Sequence, residues 1–337
     1  MAERQQGFTF DRVIGGSAGL RDTISAARRL AQTHSSTVLL IGETGTGKEL
    51  FARGIHCEGH NAGAPFVAIN CAAIPDTLLE SELFGHESGA FTGAGNRKVG
   101  LMELAGTGTL FLDEVHQLPM HVQPKLLRAL EERRVRRLGG HQEIEIECRI
   151  IAASNVSIEH AVEDGSFRAD LFYRLNVLRL DIPPLRDRRD DVETLARHFL
   201  DVMCREHGAP LKHLTPDALE LLRTHAWPGN VRELKNVIER ACVVGGSNAR
   251  VEQTHLSIQR RVARLTGLSG APLAGEIEVP LAGKPLRDIE REAVQLTLRA
   301  TSGNQSKAAR LLGISRPTLA RIMREGMPTP IRLVDAS

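Results

Sequence analysis

The chain has 337 residues, 42% hydrophobic and 25% charged with a net charge of +2, the balance of a globular chain with room for two or three domains. No apolar stretch reaches the ~18 residues of a membrane helix, and residues 1–10 lack the apolar core and cleavage site of a signal peptide. The five cysteines (Cys57, Cys71, Cys148, Cys204, Cys242) are scattered, with no C-x-x-C pair, which fits a reducing cytoplasm better than a disulfide scaffold.

In chain order, Thr37 to Ile41 reads as a buried strand, followed by a glycine-rich loop and a helix from Lys48 to Cys57. Phe66 to Ile69, Thr109 to Leu112 and Arg149 to Ala153 read as further strands, with helical patterns such as Val122 to Glu132 between them. Strands alternating with helices predict an α/β fold with a parallel sheet covered on both faces. After Pro183-Pro184 the pattern turns helical. Asp190 to Glu206, Pro216 to Arg223 and Val231 to Val243 read as helices with no strands between, and Thr215 before Pro216 reads as a cap. The Gly, Pro, Ala and Leu-rich stretch from Gly267 to Gly283 reads as a linker, and a last helical unit runs from about Pro285 to Arg324. The domain boundaries that follow are a tail over 1–9, an α/β core over 10–185, a small helical subdomain over 186–258, a linker over 259–283, a last helical domain over 284–326 and a tail over 327–337.

Gly42-Glu43-Thr44-Gly45-Thr46-Gly47-Lys48-Glu49 lies between the first strand and its helix. Glycines let backbone N–H groups curl around phosphates, the helix N-terminus adds a positive dipole end, and Lys48 reaches the β/γ-phosphates of ATP. Glu49 stands where the general pattern has the Ser or Thr that holds Mg²⁺. Thr109-Leu110-Phe111-Leu112-Asp113-Glu114 is an apolar strand ending in two acids. Asp113 can hold Mg²⁺, directly or through water, and Glu114 can polarise the water that attacks the γ-phosphate. A lone acidic turn at a strand end is commonplace; one placed this way after a phosphate loop is not. His56, Cys57 and His60 have a spacing that a metal could use, but no fourth ligand is apparent and a metal role is discounted.

From Phe10 to Ile258 the sequence resembles the AAA+ activators of sigma-54 RNA polymerase, the bacterial enhancer-binding proteins. Their phosphate loop also ends in Lys-Glu, which accounts for Glu49. Glu82-Leu83-Phe84-Gly85-His86-Glu87-Ser88-Gly89-Ala90-Phe91-Thr92-Gly93-Ala94 is similar to the family's most distinctive segment. The resemblance implies that Gly89, Ala90, Phe91, Thr92, Gly93 and Ala94 form the loop that touches sigma-54. It implies that Asn70 switches the catalytic glutamate and that Asn155 reads the γ-phosphate. Arg168 and Arg174 would be presented to a neighbouring subunit's nucleotide, and Arg232 would be the second sensor on the lid. Read without the resemblance, the loop is a flexible hairpin tip and the two arginines are surface salt-bridge partners. The sequence departs from the family at Thr107, where glycine is usual, and in beginning almost at the ATPase, so that control is expected from a separate regulatory protein, from expression level or from a missing domain.

Gly303 to Ile322 reads as helix, glycine turn, helix, with Ala308, Leu311, Leu312, Leu319 and Ile322 facing a core and Ser315 capping the second helix. Arg316, Thr318 and Arg321 then point outward, where a recognition helix meets bases and phosphates. Lys307, Arg310, Arg316, Arg321 and Arg324 stand here with no acidic residue among them, which marks this end for an anionic partner. The unit resembles the helix-turn-helix of the nucleoid protein Fis. Upstream, Leu286, Ile289, Ala293, Leu296 and Ala300 form a stripe suited to dimer packing.

Taken together, the sequence predicts a cytoplasmic, ring-forming ATPase, a hexamer with paired DNA-binding domains. It would bind upstream double-stranded DNA and use ATP and Mg²⁺ to remodel sigma-54 RNA polymerase, with no membrane partner. The alternatives are a DNA-binding regulator whose AAA+ domain senses a ligand without remodelling sigma-54, and a generic AAA+ chaperone or chelatase.

Overall fold

The structure is a computed structural model that describes residues 8–33, 37–91, 94–206, 210–246, 248–258, 294–295, 297–298, 304–312, 314, 316, 318–319 and 322. The chain divides into two units, residues 1–259 and 260–337.

The first unit opens with α1 (Ala18–Ala31), β1 (Thr37–Ile41), α2 (Lys48–Cys57) and β2 (Phe66–Asn70). Next come α3 (Asp76–Phe84), the hairpin β3 (Gly85–His86) and β4 (Lys98–Val99), α4 (Leu101–Leu104) and β5 (Thr109–Asp113). Then follow α5 (Gln123–Glu132), the hairpin β6 (Arg134–Arg136) and β7 (Glu143–Glu145), β8 (Arg149–Ser154), α6 (Ile158–Glu163), α7 (Ala169–Leu175) and β9 (Arg179–Asp181).

β2, β5, β8, β1 and β9 lie in that order in one sheet, parallel throughout. Successive side chains point to opposite faces. Leu39, Leu110, Leu112, Ile150 and Ala152 thus enter one core with Leu79, Leu83, Leu126 and Leu171. Val38, Leu40, Phe111, Ile151 and Ala153 enter the other with Phe10, Leu20, Phe51 and Ile55. A sheet buried on both faces has no reason to alternate apolar with polar residues, and these strands read as continuous apolar runs.

β9 is the difference from the sequence reading, which included only four strands. Its single apolar residue, Leu180, sits between Arg179 and Asp181, so no apolar run marks it. The strand pairs only with β1, at the sheet edge, where Arg179 meets Glu159 at 2.7 Å. Edge position is what makes the charged composition tolerable.

The lid is built on α8 (Asp190–Glu206), α9 (Pro216–Thr224) and α10 (Asn230–Val244). Thr215 caps α9 by accepting from the Ala218 N–H, and Pro216 fills a first-turn position. The core of the lid gathers Leu195, Leu200, Leu222, Leu234 and Ile238 around the fully buried Trp227, whose Nε1–H donates to Leu222 O at 2.8 Å. The sequence reading had no strand here. The structure adds β10 (His213–Leu214) paired parallel to β11 (Arg250–Val251). Two residues per strand are too few to leave a period-two signature.

In the second unit, α11 (Gln305–Leu312) places Ala308 and Ala309 in a small core with Leu319, Ile322 and Val294. The 259–283 linker, the stripe from Leu286 to Ala300 and the tail after Gly326 lie outside the described residues.

Candidate functional site

The site is assembled where four parallel strands end, the edge of an open α/β sheet at which ligands bind. β1 runs into residues 42–48, β5 into Asp113 and Glu114, β8 into Asn155, and β2 ends at Asn70.

The loop over 42–48 needs its glycines. Gly45 has φ +81° and Gly47 has φ +103°, and a Cβ on Gly45 would strike the Gly229 carbonyl of the lid. Thr46 Oγ1 donates to Glu43 O at 2.8 Å, which closes the turn. Lys48 begins α2 and is buried, its Nζ donating to Gly42 O at 2.9 Å. Glu49 points away, pairing with Arg53 at 2.7 Å on the helix surface.

Opposite Lys48, Glu114 adopts a left-handed conformation, φ 53°, which turns its carboxylate back toward the loop. Its Oε1 lies 4.0 Å from Lys48 Nζ. That is too long for a bond, and burial prevails at both ends. Burial lowers the Lys48 pKa against the nearby Glu114 and Asp113 charges. Burial raises that of Glu114, against Lys48 and the backbone N–H of Asn155. Asp113 Oδ1 accepts from the Glu114 N–H at 3.0 Å, and its Oδ2 lies 3.5 Å from Asn70 Nδ2. Asn70 thus reaches Asp113, while its Oδ1 caps the next turn at Ala72 N, 2.9 Å. Asn155 Nδ2 donates to Thr44 Oγ1 at 3.0 Å, and its Oδ1 is buried with no hydrogen-bond partner.

The lid closes the third side. Arg232 acts on both Lys48 and Glu114 through its charge, and its Cβ would lie 3.0 Å from a Cβ on Gly45. Asn230, which sequence reasoning passed over, does more. Its Nδ2 donates to Thr44 O at 3.0 Å and Glu43 Oε2 at 3.1 Å, and its Oδ1 accepts from Leu185 N at 2.7 Å. It is buried at φ 52°, a conformation that asparagine tolerates better than most residues. Arg186 pairs with Glu43 at 2.7 Å, and the buried Arg188 donates to Thr46 O at 3.2 Å. The signal that could have found Asn230 is its place between Gly229 and a helix.

α7 carries the two arginines assigned by resemblance. Arg168, at its N-cap, is half-buried and pairs with Asp170 at 2.7 Å, while Arg174 Nη2 donates to Leu130 O at 2.8 Å, at the end of α5. Tyr173 between them is 73% exposed.

Residues 89–91 and 94 lie between β3 and β4. Gly89 N donates to Ala94 O at 2.7 Å, Ala94 is buried, and Phe91 stands edge-on to the His86 ring with centroids 5.0 Å apart. Thr92 and Gly93 lie outside the described residues. The base of the tip is clamped by the buried Arg137, which bonds Glu87 and Glu103, both at 2.7 Å. A Cβ on Gly139, beyond Arg137, would crowd Ala90 at 2.9 Å. The departure at Thr107 is accommodated because its neighbours do the special work. Gly106 takes the positive φ, and Gly108 lies so close to Pro65 that a Cβ would not fit.

His56 is a tie between elements. Its Nδ1 is 2.9 Å from Thr109 Oγ1 and its ring donates to Ala64 O, so α2 is fastened to β5. In the second unit Arg316 is exposed, Leu319 and Ile322 are buried, and Thr318 is half-buried. Ser315 and Arg321 lie outside the described residues.

Residues 13–181 match the sigma-54 interaction domain, 186–265 the AAA+ ATPase lid domain, and 285–326 the bacterial regulatory protein Fis family. The chain belongs to the sigma-54 activator family. It is 44% identical over 314 residues to the regulatory protein AtoC of Escherichia coli (strain K12), covering 93% of this chain and 67% of AtoC. It is 46% identical over 311 residues to the Nif-specific regulatory protein of Azotobacter vinelandii, covering 91% of this chain and 57% of that one. The chain therefore spans roughly three fifths to two thirds of these relatives. Among solved structures, NtrX from Brucella abortus in complex with ATP aligns at 31% identity with a TM-score of 0.71, over 93% of this chain and 69% of NtrX. As a family member the chain is an AAA+ ATPase with a domain for sigma-54 and a Fis-type DNA-binding unit, a regulator of transcription. Among the described residues, no helix is long and apolar enough to cross a membrane.

Proposed function

We propose that the chain acts in the cytoplasm as a ring, a hexamer in the sequence reading, that binds upstream DNA and uses ATP hydrolysis between subunits to open promoters held by sigma-54 RNA polymerase. The observation that supports this most is the convergence on one phosphate loop of Lys48, Glu114, Asn155 and Arg232, from four separate elements.

The residues suit ATP with Mg²⁺. Lys48 is buried with carbonyls as its bonded partners, an arrangement that a triphosphate completes. Asp113 offers the hard carboxylate oxygen that Mg²⁺ prefers. Bound there, Mg²⁺ would neutralise charge on the β- and γ-phosphates. Glu43 to Glu49 supply backbone N–H groups and the α2 N-terminus for the phosphates. Glu114 polarises the attacking water. Asn155, whose Nδ2–H reaches Thr44 on the loop, reads the γ-phosphate as a donor, Asn70 sets the position of the acidic pair, and Arg232 follows the nucleotide from the lid. Arg168, at the N-cap of α7, and Arg174, in its last turn, serve the nucleotide of the next subunit. A guanidinium placed there is worth ~10³-fold or more in rate. Residues 89–94 touch sigma-54, and Ser315, Arg316, Thr318 and Arg321 face DNA.

The test is open-complex formation on a sigma-54 promoter with the polymerase, with and without ATP. The reading expects opening only with ATP, and opening of equal extent without it would overturn the reading. For action between subunits, Arg174→Ala and Glu114→Ala chains are mixed. Recovery of hydrolysis at shared interfaces is expected, and verified mixed rings with no recovery would count against it.

A further inference from the structure

His116 lies on the short helical turn that follows Glu114, and the assignments above give it no role. Its ring is mostly buried, and its hydrogen bonds fix which nitrogen carries the proton. Ser154 Oγ has one hydrogen, and it goes to Val156 O at 2.7 Å. The same oxygen accepts from Val156 N at 3.2 Å. Toward His116 Nδ1, 3.1 Å away, Ser154 can therefore only accept, so Nδ1 carries a hydrogen. At the other side of the ring the Gln117 amide nitrogen lies 3.0 Å from Nε2. An amide N–H only donates, so Nε2 carries the lone pair. Both contacts describe one species, the neutral imidazole with its hydrogen on Nδ1.

That hydrogen has a second acceptor within reach. Glu114 Oε2 is 3.6 Å from Nδ1, and it is a buried carboxylate oxygen with no hydrogen-bond partner. Such an oxygen is costly to leave bare, and a carboxylate is a stronger acceptor than a hydroxyl. The backbone joining the two residues is short and turned, with Glu114 at φ 53° capping the turn that holds His116. A small rotation of the ring is all that separates Ser154 from Glu114 as the acceptor. Lys48 stands on the opposite side, 4.0 Å from Oε1.

We propose that His116 is a positioning residue for Glu114: its Nδ1–H moves from Ser154 to Oε2 and fixes the carboxylate so that Oε1 faces the attacking water. The inference rests on the reading of Glu114 as the group that polarises that water. His116 transfers no proton and touches no substrate. Its contribution is to keep the carboxylate from rotating, so it enters the rate of the chemical step and not the affinity for ATP.

The experiment measures steady-state ATP hydrolysis by the full chain, at protein concentrations where the rate per subunit no longer rises, for His116→Leu, His116→Asn and Glu114→Ala. Asparagine places an N–H donor at the same distance along the side chain as Nδ1, while leucine keeps bulk without a donor. His116→Leu is expected to lower kcat about tenfold, with KM for ATP within about twofold of the parent, and His116→Asn to recover most of the loss. Parent kcat in His116→Leu overturns the inference, as does an equal loss in the leucine and asparagine variants with unchanged melting temperatures, which would mean packing alone. If His116→Leu does not fold, His116→Ala takes its place against His116→Asn with the same two outcomes. Glu114→Ala separates the two layers. Parent turnover there removes the Glu114 reading and this inference with it. Lost turnover there, with normal turnover in His116→Leu, removes this inference alone.

Discussion

Two glycine-bounded loops leave the same chain, and the structure builds them by opposite means. Residues 42–48 are held from below by their own strand and from above by the lid: Val231 N donates to Gly45 O at 3.0 Å, Asn230 spans Thr44 and Glu43, and Arg188 reaches Thr46 O. Among the described residues of the second, 89–91 and 94, the root is held by Arg137 and its two carboxylates, Phe91 meets the His86 ring and Ala90 lies against Gly139. A Cβ on Gly45 would collide with the lid, whereas a Cβ on Gly89 meets nothing within 4 Å. In the first loop glycine permits close approach. In the second it permits a turn without occupying space.

The predictions test how far that contrast holds. Lys48→Ala should have the largest effect, loss of nucleotide binding to near the detection limit in calorimetry, because it removes the buried cation of the first loop. Retained binding would mean that the backbone cradle suffices. Asn230→Ala should follow, with a loss of ~2–4 kcal/mol of stability by chemical denaturation, since it strands the Leu185 N–H and the Thr44 carbonyl and leaves a poorer residue at φ 52°. A change under ~0.5 kcal/mol would show the lid and first loop to be less tightly joined than drawn. Gly89→Ala should cost only ~1 kcal/mol, the strain of φ +79° with no collision added. A much larger cost would make the second loop as packed as the first. Thr92→Ala should leave ATP turnover within about twofold of the parent while abolishing open-complex formation. Loss of turnover as well would mean that the second loop supports the fold, and normal promoter opening would take it out of the contact with sigma-54.

The sequence was most readable where the chemistry is consecutive. α2 over Lys48–Cys57 and α8 over Asp190–Glu206 have the bounds that the pattern predicts, because a glycine turn and an acidic first turn mark their starts. The phosphate loop and the acids at the end of β5 are runs along one chain, legible without any contact. Other parts gave no such mark. β9 is an edge strand of mostly charged residues, and β10 and β11 are too short to show a period. Asn230 and Arg188 act on the loop from 186 and 142 residues away, and no local spacing reports a contact of that range. His116 was obscured differently, since its meaning depends on which partner holds each ring nitrogen, a property of three-dimensional neighbours alone.

The route by which the chain leaves the sheet has a mechanical consequence. Ile182 N donates to Ile41 O at 2.8 Å, and a Cβ on Gly42 would lie 3.2 Å from Ile182. The way into the lid thus runs beside the start of the phosphate loop, while Asn230, at the head of α10, rests on its middle. The lid is a beam carried on close supports along one short loop, with Ile182 beside Gly42, Asn230 on Thr44 two residues on, and Arg188 on Thr46. A beam with supports so close together converts a small displacement at one of them into a large swing at its far end, without a relay of residues through the core. Any shift of Thr44 relative to Gly42 would therefore be felt by the lid directly, as a change in its angle.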